Sequence, residues 1–137
     1  MSSDYDQYDK LGNVTPMRTA SKHQGVLTFN AYQERAARTA IYPGQRTVTG
    51  LTYVSLGLVG ESGEIANKVK KIIRDDEGVL TLERRQDLLS ECSDVMWYLA
   101  QLITELDATM SDVAEHNLRK LSSRQERGTL GGSGDKR

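Results

Sequence analysis

The chain has 137 residues, a formal net charge of -1 and a pI near 6.1. That length fits one domain, and a hydrophobic fraction of 37% leaves room for oligomerisation to supply much of the core. A near-neutral chain lacks the basic surface that binding along phosphate backbones requires, so no nucleic-acid partner is expected. Cys92 is the single cysteine, which excludes an intramolecular disulfide, and no apolar run approaches the ~20 residues of a membrane span. A cytoplasmic protein without a membrane partner is expected.

Residues 1–27 are polar, contain Pro16 and show no sustained periodicity, so they read as a loosely ordered arm; Asp4, Asp6 and Asp9, with no apolar core, argue against a signal peptide. Thr28 is placed to cap a helix from about Phe29 to Ile41 that puts Phe29, Tyr32, Ala36 and Ala40 on one face, and Tyr42-Pro43-Gly44 stops it. Residues 45–50 read as a connector to a long helix from about Leu51 to Arg74. Within that helix Gly57, Gly60 and Gly63 each cost up to about 1 kcal/mol relative to alanine. Either another helix or a ligand approaches closely there, or the helix kinks or breaks. After a turn at residues 75–78, Thr81 caps a third helix from about Leu82 to Leu106, with Glu83 in the first turn as the macrodipole favours. Thr109 or Ser111 caps a fourth helix that ends near Arg127, with Gly128 at a typical stop position. Residues 129–137 form a glycine-rich tail. The expectation is an all-α domain over residues 28–128.

Helical projection at about 100° per residue gathers Leu51, Val54, Leu58, Ile65, Val69 and Ile72 into one seam, with Glu61 at its edge and Glu64, Lys68 and Lys71 just beyond. The third helix does likewise: Leu88, Cys92, Val95, Leu99, Leu102 and Leu106 form the seam, while Glu91, Asp94 and Tyr98 share a flank. Cys92 reads there as a small apolar core residue. If the seams pack together, Glu61, Glu64, Glu91 and Asp94 meet. Carboxylates crowded at an apolar edge cannot all stay ionised without a counter-charge. Oxygen-only ligands favour Mg²⁺ or Mn²⁺, and Mg²⁺ usually joins carboxylates to phosphate oxygens, so the cluster points to a phosphate-bearing substrate. Lys68 and Lys71 read equally as helix salt-bridge partners of the acids or as phosphate contacts. Asn117, Lys120 and Arg124 share a stripe with Val113 and read as a binding surface. A di-iron bundle needs Glu-x-x-His pairs, and neither His23 nor His116 stands three residues after a glutamate.

Glu61-x-x-Glu64, 26 intervening residues and Glu91-x-x-Asp94 together resemble the MazG-like all-α nucleoside triphosphate pyrophosphohydrolases, relatives of the all-α dUTPases and dCTP pyrophosphatases. The resemblance runs from about Phe29 to Arg137. It includes Gly57 to Glu64, Lys70-Lys71, Asp94 to Leu99, Asn117 to Leu121, Arg124-x-x-Arg127-Gly128 and the ending Gly132 to Arg137. It implies a four-helix bundle-type domain completed as a homodimer or a homotetramer (a dimer of dimers), with each active site drawing on more than one chain. It also implies Mg²⁺-dependent hydrolysis, with Mn²⁺ a possible substitute, of a nucleoside or deoxynucleoside triphosphate to the monophosphate and pyrophosphate. Related possibilities are another substrate such as phosphoribosyl-ATP, or a nucleotide-binding module without catalysis. By the same carry-over Glu61, Glu64, Glu91 and Asp94 are the catalytic metal ligands, Lys68, Lys71, Asn117, Lys120 and Arg124 the triphosphate contacts, and Tyr98 a neighbour of the sugar. Phe29, Gln33 and Tyr42 are suspects for the base pocket or, equally, packing residues.

Overall fold

A computed structural model describes residues 26–131, which form four helices and no strand: α1 (Phe29–Ala37), α2 (Val48–Asp75), α3 (Leu82–Glu105) and α4 (Met110–Glu126). The expected arm and tail lie outside the described residues except for 26–27 and 129–131. Each helix begins at a threonine whose hydroxyl accepts a backbone N–H: Thr28 from Ala31, Thr47 from Thr49, Thr81 from Arg84 and Thr109 from Asp112. Each cap satisfies a donor that the helix itself cannot. Helix α2 starts earlier than the expected Leu51 because Thr47 supplies the cap. Gly50, read as connector, is instead buried in the first turn, where a Cβ would lie 2.5 Å from the Gly44 carbonyl oxygen. Helix α1 stops at Ala37, before the expected Ile41, in a turn closed by Thr39 N–H donating to Ala36 O. Helix α2 runs unbroken through Gly57, Gly60 and Gly63, so the expected alternative of a break is not realised.

Helices α2 and α3 form a long antiparallel hairpin, pinned at its turn by Arg84 Nε donating to Asp76 Oδ2 at 2.8 Å. Helix α1 packs on α3, and α4 docks on α1. The second junction is set by two side chains of α1. Gln33 donates to Thr104 Oγ1 and the Ala108 carbonyl (2.8 and 3.0 Å) and accepts from Met110 N–H (2.8 Å), while Asn30 Oδ1 accepts from Ser111 N–H. The loop between α1 and α2 is tied to the end of α3 through Glu105, whose two oxygens accept from Tyr42 Oη and Arg46 N–H, each at 2.6 Å.

The core is small: Ala100, Ile103 and Met110, with Tyr32 and Ala108 packed against them, and Val54 and Ile72 buried elsewhere on α2. The projected seams are not the buried faces throughout. Val69, Leu99 and Leu106 are exposed, and so is Cys92, which is therefore not a core residue within one chain. The face of α3 turned to α2 instead carries Tyr98 against Gly57 and Glu105 beside Gly50. On the same line lies Gln101, 1% exposed, whose amide has no hydrogen-bond partner among the described residues. The solvent side of the hairpin keeps two apolar stripes, Leu56, Val59 and Ile73 on α2 and Leu89, Met96 and Leu99 on α3. None of the described helices is long and apolar enough to cross a membrane.

Candidate metal and phosphate site

The hairpin brings Glu61 of α2 against Glu91 and Asp94 of α3, and each offers an oxygen within 4.8 Å of the other two. The spacing of three within α3 places its two acids on one face, and the antiparallel register puts Glu61 opposite them. Burial, followed by the charges of Asp94, Glu91 and Glu64, pushes the Glu61 carboxyl up from the usual carboxylate range; a hydrogen bond shared with Glu91 adds to this. The cluster therefore carries more negative charge than its surroundings offset. Lys68 supplies part of the balance, with Nζ 3.2 Å from Glu91 Oε1. Glu64 is exposed and stands outside this triad, although its charge acts on Glu61. All-oxygen donors in excess negative charge fit a hard divalent cation.

Beside the acids lies an open cavity of about 470 Å³ lined by Thr39, Glu61, Asp94, Trp97 and Tyr98. Its wall is aromatic and braced from behind. Trp97 meets Tyr98 edge-on with centroids 5.0 Å apart and donates from Nε1 to Thr39 Oγ1 at 2.9 Å. Tyr42 meets Trp97 edge-on at 6.4 Å and stacks on Tyr53 at 5.4 Å. Burial and the neighbouring Tyr53, Glu61 and Asp94 raise the Tyr98 phenol, and burial together with Asp94 raises Tyr32. Thr39 already donates to the Ala36 carbonyl and accepts from Trp97, so its one donor is committed and it can offer a ligand no more than an acceptor lone pair.

The other predicted residues are dispersed. Tyr42 is buried, with its hydroxyl held by Glu105, and reaches the cavity only through Trp97. Phe29 is exposed at the start of α1. Gln33 lines a separate cavity of about 330 Å³ with Asn30, Glu34 and Arg46, and its amide is committed to the α3–α4 junction. Lys71 acts on Asp75. Asn117 and Lys120 are exposed on α4, Arg124 is buried near its end, and none of the three lines the acid cavity. Sequence reasoning missed Trp97 and Thr39 as lining residues of the acid cavity. Trp97 follows Asp94 by one turn, a signal that was present; Thr39 is 58 residues from its partner and offered none.

The MazG nucleotide pyrophosphohydrolase domain matches residues 50–129, more than half of the chain. The chain belongs to the MazG family. The MazG match takes in α2 from Gly50 onward, α3 and α4 with all three clustered acids, and leaves out α1 and the loop that supplies Thr39. The Gene 37 protein of Mycobacterium phage L5 is 58% identical over 114 residues, covering 81% of this MazG chain and the whole of that relative. No solved structure matches.

Proposed function

We propose that the chain hydrolyses a nucleoside or deoxynucleoside triphosphate to the monophosphate and pyrophosphate, with Mg²⁺ held by Glu61, Glu91 and Asp94. The observation that carries this is the meeting of those three acids and Lys68 beside an aromatic-walled cavity, in a chain of the MazG family. Bound Mg²⁺ would offset phosphate charge and acidify the attacking water. The chain's own groups do the rest. Glu61, Glu91 and Asp94 hold the cation, and a carboxylate of the cluster takes the proton of the water that attacks the α-phosphorus. The bond from that phosphorus to the bridging oxygen breaks, and pyrophosphate leaves. Lys68, already at the cluster, is placed to meet a phosphate oxygen. The rings of Trp97 and Tyr98 offer the sugar and base faces and edges, not hydrogen-bonding groups aimed at one base.

The same reading includes self-association. The apolar stripes left open on α2 and α3, together with the small core, support a homodimer or homotetramer that covers them and brings the cations of α4 towards a neighbour's acids. The test is pyrophosphate release from a panel of ribo and deoxy triphosphates with Mg²⁺ and Mn²⁺. Release should stop on chelation and fall at least about a hundredfold in Asp94→Asn. Nucleotide that binds but stays intact through prolonged incubation with Mg²⁺ would replace the enzyme with a binding module.

A further inference from the structure

We propose that Gly57 is a positioning residue for the acid cavity: its missing side chain lets the Tyr98 ring lie in the α2–α3 seam rather than in the space beside Glu61 and Asp94. The functional part rests on the reading above. A Cβ on Gly57 would stand 2.1, 2.5 and 2.6 Å from Cε1, Cζ and Cδ1 of Tyr98, so the ring lies directly on the α2 backbone at that point. At Gly60 and Gly63, one and two turns further along, a Cβ would meet nothing within 4 Å among the described residues. Of the three glycines that surround Glu61 only Gly57 therefore has a steric requirement among the described residues; Gly50, in the first turn of the same helix, is held by a separate contact with Gly44 and Glu105.

The ring cannot retreat from an added methyl group. Trp97 bears on Tyr98 edge-on at 5.0 Å and is itself held by Thr39, so the way on that side is closed. The open direction is the cavity that Tyr98 lines with Glu61, Asp94 and Trp97. An alanine at position 57 thus displaces the ring into the space assigned to the substrate, while the acids keep their places. A glycine that weakens the helix locally is the counterpart of an aromatic wall that stays out of the site.

The test is a double-mutant cycle with two readouts. Gly57→Ala should lower Tm by about 5 °C in the wild-type background, where overpacking outweighs helix propensity. It should raise Tm in the Tyr98→Ala background, where only propensity remains. With the triphosphate that the wild type cleaves fastest, Gly57→Ala should raise KM by about tenfold or more and leave kcat within about threefold, whereas a merely less folded enzyme loses kcat. Titration with Mn²⁺ alone should give an affinity within about threefold of wild type, because the acids are untouched. Shifts of the same sign in both backgrounds, or an unchanged KM, would overturn the proposal. If Gly57→Ala does not fold, Gly57→Ala/Tyr98→Ala against Tyr98→Ala decides: greater stability of the double variant supports the contact and lower stability refutes it. If the wild type releases no pyrophosphate, the functional reading fails, and the thermal cycle still judges Gly57.

Discussion

Replacing Glu61 with glutamine separates the charge of the acid cluster from its shape. With oxygens within 4.8 Å of one another, two unit charges repel by about 1 kcal/mol at the dielectric of water and by 3–4 kcal/mol at the effective value near a protein surface. Glu61 is half-buried and faces two such neighbours, one already offset by Lys68. Removing its charge should therefore stabilise the metal-free protein by about 1–2 kcal/mol, or 4–8 °C in Tm. Divalent cation reverses the order. At a hundred times its Kd, a bound ion stabilises the wild type by about 2.7 kcal/mol, and a triad reduced to two carboxylates should lose most of that. Differential scanning fluorimetry in EDTA and in excess Mg²⁺ reads both effects. The pH dependence has a definite sign: the Glu61 carboxyl is raised on folding, so its contribution to metal-free stability is full below about pH 4.3 and is lost as pH rises through the folded value. The advantage of Glu61→Gln in EDTA should accordingly vanish in acid. A variant that is less stable than wild type in EDTA and keeps the full Mg²⁺ shift would refute the reasoning.

Lys68→Met removes the 3.2 Å partner of Glu91; because both groups are partly exposed, stability should change by less than about 1 kcal/mol, while KM for the triphosphate rises about tenfold in steady-state assays. Glu105→Gln deprives both Tyr42 Oη and Arg46 N–H of a charged acceptor and turns an amide NH2 towards one of them, and should cost about 2 kcal/mol, seen as a lower urea midpoint at unchanged slope. Gln101→Leu removes a buried amide with no partner and should raise stability by about 1–2 kcal/mol in the same titration.

Much of this molecule can be read locally. Thr28, Thr81 and Thr109 mark three helix starts because a cap is a contact over two or three residues. Glu61, Glu91 and Asp94 follow from helical period together with a short turn that forces the two helices to run antiparallel. What escaped depends on distance along the chain. Thr39 finds Trp97 only through the path of α1, and Gln33 turns out to serve the α3–α4 junction through a bond to a backbone N–H 77 residues away. Cys92 and Leu99 were misplaced for another reason. Period identifies an apolar stripe but not whether it meets the same chain, and on α3 the inward face carries Tyr98 and Gln101 instead. The start of α2 was missed because residues 45–50 read as a connector, although the buried place of Gly50 against Gly44 and Glu105 is what requires a glycine inside the helix.

The pair Asn30 and Gln33 gives α1 an authority out of proportion to its nine residues. By capping the first amides of α4 from outside, they aim that helix, and with it the cations Lys120 and Arg124, as a rudder stock aims a blade. Evolution or an engineer could therefore swing α4 to a new bearing by editing two amides outside the acid cluster, leaving the acids of the hairpin as they are.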